Sequence, residues 1–124
     1  MTPPQLLQTG DGRLIVPRCH LADGFWTRLR GLLGRSGLEP DEGLWIEPCS
    51  SVHMFFMRFA LDVAFVDRLG VVQRVYPNLR PWRATWIVPR ARAAVELPVG
   101  TLATHGVEPG TILLVVPPLS PLVG

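Results

Sequence analysis

The stretch Leu61-Asp62-Val63-Ala64-Phe65-Val66 decides the fold class, because its β-branched and aromatic residues favour an extended strand. It is followed by the turn-like sequence Asp67-Arg68-Leu69-Gly70 and then by a second apolar run over 71–76. Two such runs joined by a short polar segment that contains glycine predict a β-hairpin.

Short apolar runs, separated by glycine and proline, continue on both sides of this hairpin. They predict further strands over 13–16, 43–47, 52–57, 93–97 and 111–116, and a shorter one over 85–88. A helix is expected after Asp23, where apolar residues recur at helical spacing up to Gly34 or Gly37, and a single helical turn is expected between Gly100 and Gly106. The pattern predicts a mainly β fold, a compact antiparallel β-sandwich or barrel with one or two short helices.

The length of 124 residues suits one hydrophobic core, and neither a repeat nor a change of composition marks a second domain. We therefore predict a single domain over 1–124, with a core over about 13–116 and a proline-rich surface arm over 117–124. The chain contains no apolar run of membrane-spanning length and does not begin with a signal-peptide pattern. We expect a cytoplasmic protein that does not insert into a membrane.

Several common enzyme classes have no support in the sequence, which lacks a phosphate-binding loop, a dinucleotide fingerprint and the motifs of zinc proteases and serine hydrolases. The three histidines, His20, His53 and His105, are widely spaced, and the two cysteines, Cys19 and Cys49, form no paired motif. We therefore expect neither a metal site nor a cofactor.

Cys49 and His53 raise the possibility of a thiol nucleophile with an imidazole base, which must lie within about 3 Å of each other. In an extended segment the four residue steps from Cys49 to His53 span roughly 13 Å, so only a sharp turn over 48–51 brings the two groups together. A hydrolase-type enzyme that uses His53 or Cys49 is one alternative function. The interpretation that we favour is an unreactive, partly buried thiol at Cys49.

The segment 51–62 places ionisable residues around an apolar and aromatic run, Met54-Phe55-Phe56-Met57. If the segment is a strand, His53 shares one face with Phe55, and Arg58 lies on the other face. One face then belongs to the core and the other lines a pocket with Arg58 at its rim. The alternative is purely structural: an ion pair between Arg58 and Asp62 and a hydrogen-bonded His53.

The stretch from Arg68 to Arg92 contains six arginines and, up to residue 95, no acidic residue, and three aromatic residues lie among them. Arginine next to aromatic rings is suited to single-stranded nucleic acid or to an anionic aromatic ligand. Prolines stiffen the segment around Arg80, Trp82 and Arg83, so we expect a compact site for a small anion there. Nucleic-acid binding through the stretch is an alternative that we do not favour, and pairing of the arginines with acidic residues elsewhere is a third.

These motifs together resemble the family called domain of unknown function 192. The resemblance rests on the run over 53–67, the sequence Asn78-Leu79-Arg80-Pro81-Trp82-Arg83, the later sequence Val95-Glu96-Leu97-Pro98, Gly100-Thr101 and the turn at Pro109-Gly110. It extends over about 14–115 and implies a compact, mainly β domain, with no reaction assigned to the family. The sequence departs from the usual family pattern at Met54 and Ala60.

The sequence thus predicts a small β domain that binds a small anionic ligand or a peptide. The predicted binding residues are His53, Arg58, Asp62, Arg80, Trp82 and Arg83. The sequence leaves open whether the protein is an enzyme and what its oligomeric state is. A cleft that brings His53, Asp62 and Glu96 within hydrogen-bond reach would favour an enzyme, whereas arginines spread over a flat face would favour a nucleic-acid binder.

Overall fold

The computed structural model describes residues 3–118, which form seven strands and two short helices. In chain order these elements are β1 (Gln5–Thr9), β2 (Leu14–Ala22), α1 (Phe25–Leu32), β3 (Glu42–Ile46), β4 (Leu61–Val66), β5 (Val72–Leu79), β6 (Ala93–Leu97), α2 (Thr101–Thr104) and β7 (Leu113–Val116). The predicted mainly β class with one or two short helices is confirmed. In the described part of the chain, no helix has the length and apolar character needed to cross a membrane.

The strands form one sheet in the order β5-β4-β6-β3-β2-β1-β7. All neighbours are antiparallel except β2 and β3, which are parallel because helix α1 carries the chain back across the sheet between them. The sheet is therefore mixed and not purely antiparallel. Its two edge strands approach each other at an isolated bridge between Val71 and Ile112, but the pairing does not continue, so the sheet is not a closed barrel.

Both faces of the sheet carry a hydrophobic core, which explains why every residue of β4 is buried. Ala64 and Val66 belong to the cluster on one face, while Val63 and Phe65 belong to the cluster on the other. Leu32 from α1 joins the second cluster. The alternation along β4 thus assigns each residue of this strand to a face of the sheet.

Most predicted elements are observed, and the exceptions have identifiable causes. The β4–β5 hairpin, the strand over 93–97 and the helical turn after Gly100 are confirmed. The predicted strands over 52–57 and 85–88 are wrong, because these segments form turns and a single bridge outside the sheet. Strand β1 was not predicted, since it is short and partly polar and precedes the first clear apolar run. Of the predicted surface arm over 117–124, residues 119–124 lie outside the described residues.

A carboxylate at the start of β3 fastens the loop after α1 to the sheet. Glu42 accepts two hydrogen bonds from the Arg35 guanidinium, at 2.6 and 3.1 Å, and lies 3.0 Å from Nε2 of His20. The Arg35 hydrogen bonds lower the pKa of Glu42 to about 2, from an ordinary value of 4.5. The carboxylate therefore stabilises the fold at any pH where it is charged.

This depressed pKa predicts an acid-dependent stability. Because Glu42 has a lower pKa in the folded than in the unfolded state, its contribution is complete above about pH 4.5 and is lost as the pH falls towards 2. Glu42→Gln should lower the free energy of unfolding at pH 7 by about 1–2 kcal/mol, since a third of Arg35 is exposed and water screens the pair. Urea unfolding of both proteins between pH 7 and pH 2.5 should show this gap closing. A gap that stays constant with pH would contradict the assignment.

Candidate functional site

The segment over 52–54 pairs with the segment over 82–85 and forms a short two-stranded ribbon beside the main sheet. The amide of Met54 donates to the carbonyl of Arg83 at 2.7 Å, and the amide of Thr85 donates to the carbonyl of Val52 at 2.9 Å. These two bonds flank a bridge between His53 and Ala84. The ribbon therefore brings together the two parts of the sequence that were predicted to bind a ligand.

Two tight turns at the end of this ribbon present aromatic side chains. One spans 54–57 and the other spans 80–83, and each is closed by a hydrogen bond between its first carbonyl and last amide, at 3.2 Å. Phe56 and Trp82 occupy the third positions with φ of 66° and 67°, a conformation that usually requires glycine. Each costs about 1 kcal/mol or more relative to glycine. Backbone strain of this kind is often retained at binding sites.

The rings carried by the two turns lie against one another and form an exposed surface, which we call the aromatic platform and define as Phe55, Phe56 and Trp82. The Phe56 and Trp82 rings are 4.9 Å apart in an edge-to-face arrangement, and the Phe55 and Trp82 rings are 6.1 Å apart. Phe56 is 67% exposed and Trp82 is 59% exposed. Because apolar rings seldom stay in water without a partner, the platform indicates a binding surface.

Three arginines lie in or next to the two turns that carry the platform. Arg80 and Arg83 begin and end the turn that carries Trp82, and Arg58 follows shortly after Phe56. All three are exposed, and none forms an ion pair with another residue in the range 3–118. The predicted Arg80, Trp82 and Arg83 thus share one of the two turns, and the predicted Arg58 directly follows the other turn.

A cleft of about 480 Å³ opens next to the platform. Its wall includes residues from the ribbon, from the segment over 48–51 and from α1, namely Arg28, Ile46, Pro48, Cys49, Ser51, Val52, His53, Phe55, Ala84 and Thr85. This volume lies within the range of pockets that hold small molecules. Phe55 belongs to both the cleft and the platform, so a ligand in the cleft can also contact the exposed rings.

His53 lines the cleft as a neutral imidazole. Its ring stacks on Phe55 with centroids 4.7 Å apart, and its Nδ1 accepts a hydrogen bond from the Phe55 amide at 3.3 Å. Burial, followed by the charge of Arg28, lowers the pKa of His53. At pH 7 the ring is therefore neutral with its proton on Nε2, and it does not supply a positive charge to the cleft.

A buried ion pair lies at the base of the cleft. Arg28 from α1 binds the Glu96 carboxylate through Nε at 2.5 Å and through Nη2 at 2.7 Å. Arg28 is 2% exposed and Glu96 is fully buried. Burial opposes the charge on Arg28, but the hydrogen bonds that Arg28 donates to Glu96 and the negative charge of Glu96 together outweigh it, so the pKa of Arg28 lies above its usual value.

Arg28 also positions the ribbon, because its Nη1 donates to the carbonyl of His53 at 3.0 Å. The sequence analysis did not identify Arg28 as a site residue. A signal was available in the helical spacing, which places Arg28 next to Leu29 and Leu32 near the apolar face. Its partner, 68 residues further along, could not be identified from the sequence alone.

The predicted ion pair between Asp62 and Arg58 is wrong, because Arg58 is exposed and the Asp62 carboxylate binds backbone amides instead. It accepts hydrogen bonds from the amides of Asn78, Gly100 and Leu102 at 2.9–3.0 Å. Asp62 therefore joins the end of β5 and the start of α2 to β4. These contacts are structural and lie away from the cleft.

The arrangement of His53, Asp62 and Glu96 that would have favoured an enzyme is not present. Asp62 pairs with Leu97, and Glu96 pairs with Val63, so the two carboxylates lie on opposite faces of the sheet. Glu96 shares its face with Ala94 and the α1 side, whereas Asp62 shares its face with Ala64. Within residues 3–118, no three His, Cys, Asp or Glu side chains come together in a way that could hold a metal ion.

Cys49 lines the same cleft as His53, because the chain turns over 48–51, but its environment favours the thiol form. The Sγ atom donates to the carbonyl of Ser51 at 3.1 Å. Burial raises the pKa of Cys49, and the backbone of Ser51 opposes this only in part. A group with this pKa is a poor nucleophile at neutral pH.

We expect Cys49 to react slowly with iodoacetamide in the native protein at pH 7.5, at a rate below that of a free cysteine. Cys19, which is fully buried and whose pKa burial raises to about 12, is the internal control. Mass spectrometry of the digested protein measures both sites. Complete modification of Cys49 within minutes would overturn this assignment and favour a nucleophilic role.

Comparisons with known proteins match the chain to one protein family. The model of the DUF192 family, described as Uncharacterized ACR, matches residues 6–115. A UPF0127 protein of Thermococcus sibiricus is 33% identical over 115 residues, which cover 85% of this chain and 70% of the relative. A UPF0127 protein of Thermococcus gammatolerans is 33% identical over 113 residues, with coverages of 87% and 72%.

Two solved structures share the fold. A chain from Sinorhizobium meliloti, provisionally described as a transcription regulator, aligns with a TM-score of 0.73 at 25% identity, covering 93% of this chain and 96% of the other. A protein of unknown function from Novosphingobium aromaticivorans aligns with a TM-score of 0.74 at 24% identity, with coverages of 90% and 83%. These similarities support the fold and assign no activity.

Proposed function

We propose a binding function for this chain, which belongs to the uncharacterised family DUF192. Its ligand has an apolar or aromatic part and an anionic group. The ligand is a small molecule or a peptide. Its apolar part would lie on the aromatic platform and in the cleft beside it, and its anionic group would lie at Arg80 and Arg83. A cytoplasmic location stays a prediction from the sequence.

The observation that carries this proposal is the association, at one ribbon, of exposed rings, a cleft and arginines that form no ion pair with another described residue. The rings of Phe56 and Trp82 are held in strained backbone conformations, yet both are more than half exposed. Arginine beside an aromatic face supplies charge together with stacking, which suits a flat anionic ligand. Asp62 is no longer part of the proposed site, because its carboxylate is occupied by backbone amides.

Nucleic acid is the second candidate, because the Sinorhizobium meliloti protein of the same fold is provisionally described as a transcription regulator. The positions of the arginines do not favour it. Arg68 and Arg80 lie at opposite ends of the β4–β5 hairpin, Arg92 pairs with Glu47, and Arg74 lies over the Tyr76 ring. Only Arg80 and Arg83 of this stretch share the turn at the platform, which is enough for a small anion.

Binding of 8-anilinonaphthalene-1-sulfonate, which has apolar rings and one sulfonate, tests the proposal. We expect Trp82→Ala to weaken binding about threefold to tenfold and the double variant Arg80→Ala with Arg83→Ala to weaken it about tenfold. Arg68→Ala and Leu69→Ala are the matched controls, since both residues are exposed in the β4–β5 turn. Fluorescence titration measures the affinity.

Equal affinity in all four variants would contradict the proposal, because the dye would then bind elsewhere. A parallel titration with labelled single-stranded DNA and RNA at about 50 and 200 mM salt tests the second candidate. Tight binding with a steep salt dependence that disappears in the Arg80 and Arg83 double variant would favour nucleic acid. We expect no such binding.

A further inference from the structure

The outer edge of the ribbon, over 84–87, presents unused backbone hydrogen-bonding groups. The bonds Met54 to Arg83 and Thr85 to Val52 lie on either side of the pair formed by His53 and Ala84. In an antiparallel ladder, the residues of such a pair direct their own amide and carbonyl groups away from the partner strand. The amide and carbonyl of Ala84 therefore point outward, into solvent.

The same edge continues past Ala84. The amides of Ala84, Trp86 and Ile87 donate to no acceptor among the residues that the structure describes, whereas the neighbouring amides of Thr85 and Val88 bind Val52 and Ser50. The side chains at this edge are also exposed, with Trp86 at 86% and Ile87 at 73%. Proteins usually block such an edge with charges or cover it, because an exposed apolar edge pairs readily with another strand.

Charge indicates which partner fits the edge. Arg83 precedes Ala84 directly and Arg90 follows Ile87 closely, and the sequence contains no acidic residue between Arg68 and Val95. Neither Arg83 nor Arg90 forms an ion pair in the described part of the chain. A segment that pairs with this edge would therefore be stabilised by acidic side chains and opposed by basic ones.

We propose that the edge over 84–87 binds an acidic peptide in extended conformation, which adds as a third strand to the ribbon. The proposal rests on the proposed function and specifies its ligand class. Backbone hydrogen bonds to Ala84 and Trp86 hold the peptide, and alternate side chains of the peptide face the cleft, where Ala84 and His53 form part of the wall. Acidic side chains on the peptide meet the arginines at the two ends of the edge.

The test uses a fluorescein-labelled peptide of eight residues that alternates valine and glutamate. We expect it to bind at least tenfold more tightly than the same peptide with lysine in place of glutamate. Two further versions of the acidic peptide carry N-methyl groups. One version is methylated on the amides of its odd-numbered residues, and the other is methylated on the amides of its even-numbered residues. Since only one set faces the edge, one methylated peptide should lose binding at least tenfold and the other should keep it.

Variants of Trp86 separate its backbone amide from its ring. Trp86→Ala removes the ring and keeps the amide, and Trp86→Pro removes both, so the proline variant should bind the peptide at least tenfold more weakly than the alanine variant. Circular dichroism and dye binding by both variants show whether the fold and the platform are retained. If the proline variant is misfolded, the methylated peptides alone decide.

The outcomes distinguish the two proposals. If the dye binds as expected but the acidic peptide does not bind, or if both methylated peptides bind equally, the strand-addition proposal is overturned and the proposed function stands. If neither dye nor peptide binds, both fail. Binding of phosphatidylserine vesicles that depends on Trp86 and Arg83, without peptide binding, would identify the edge as a membrane contact and overturn the peptide proposal.

Discussion

Glu96→Ala is expected to lower the free energy of unfolding by about 3–5 kcal/mol, because it leaves the Arg28 guanidinium buried without its counter-charge. Domains of this size are stable by about 5–15 kcal/mol, so one substitution should remove a large share of the total. Denaturant unfolding at pH 7 measures the change. A loss below about 1 kcal/mol would show that Arg28 reaches water in solution and that the pair is not buried.

A double variant separates the ion pair's contribution to stability from its contribution to the site. Arg28→Met with Glu96→Leu replaces both charges by apolar groups, so it should cost much less than the sum of the two single changes. It also removes the hydrogen bond from Arg28 to the His53 carbonyl. We therefore expect a folded protein whose dye binding at the platform is weaker than that of the wild type.

Asp62→Asn is expected to lower the free energy of unfolding by about 2–4 kcal/mol. Oδ1 accepts from the Asn78 amide, and Oδ2 accepts from the amides of Gly100 and Leu102. An asparagine in the same place must turn its NH₂ group towards at least one of these donors and leave a buried amide unpaired. Thermal and denaturant unfolding measure the effect.

Arg58→Ala is the matched control for the contacts of Asp62. If Asp62 were held by Arg58, both substitutions would destabilise the fold by similar amounts. The structure predicts instead that Arg58→Ala changes stability by less than about 0.5 kcal/mol, since Arg58 is exposed. A large loss in Arg58→Ala would restore the ion pair predicted from the sequence.

The fold class could be predicted because β4 and β5 carry strong local signals, a β-branched run on each side of a turn that contains Gly70. The segment over 52–57 misled the prediction, since its apolar residues look the same in a strand as in a turn. There, Met54 and Met57 are buried while Phe55 and Phe56 face water. Only the pairing of this segment with 82–85 distinguishes the two forms, and that contact is not local in sequence.

The sequence predicted which two segments form the candidate site but not the contacts that hold the site together. The positions of His53, Arg80, Trp82 and Arg83 in the sequence identified the two segments that the ribbon joins. The roles of Arg28 and Asp62 depend on partners that lie 16–68 residues away, and single-sequence patterns carry no information about such distances.

The location of ligand binding is the central claim of this account, and a heteronuclear NMR titration with 8-anilinonaphthalene-1-sulfonate tests it most directly. We predict that the largest shifts occur in the backbone amides over 53–56 and 82–85 and in the indole N–H of Trp82, with the β4–β5 turn unchanged. Shifts centred on another surface, such as the groove lined by Trp45 and Arg92, would contradict the claim.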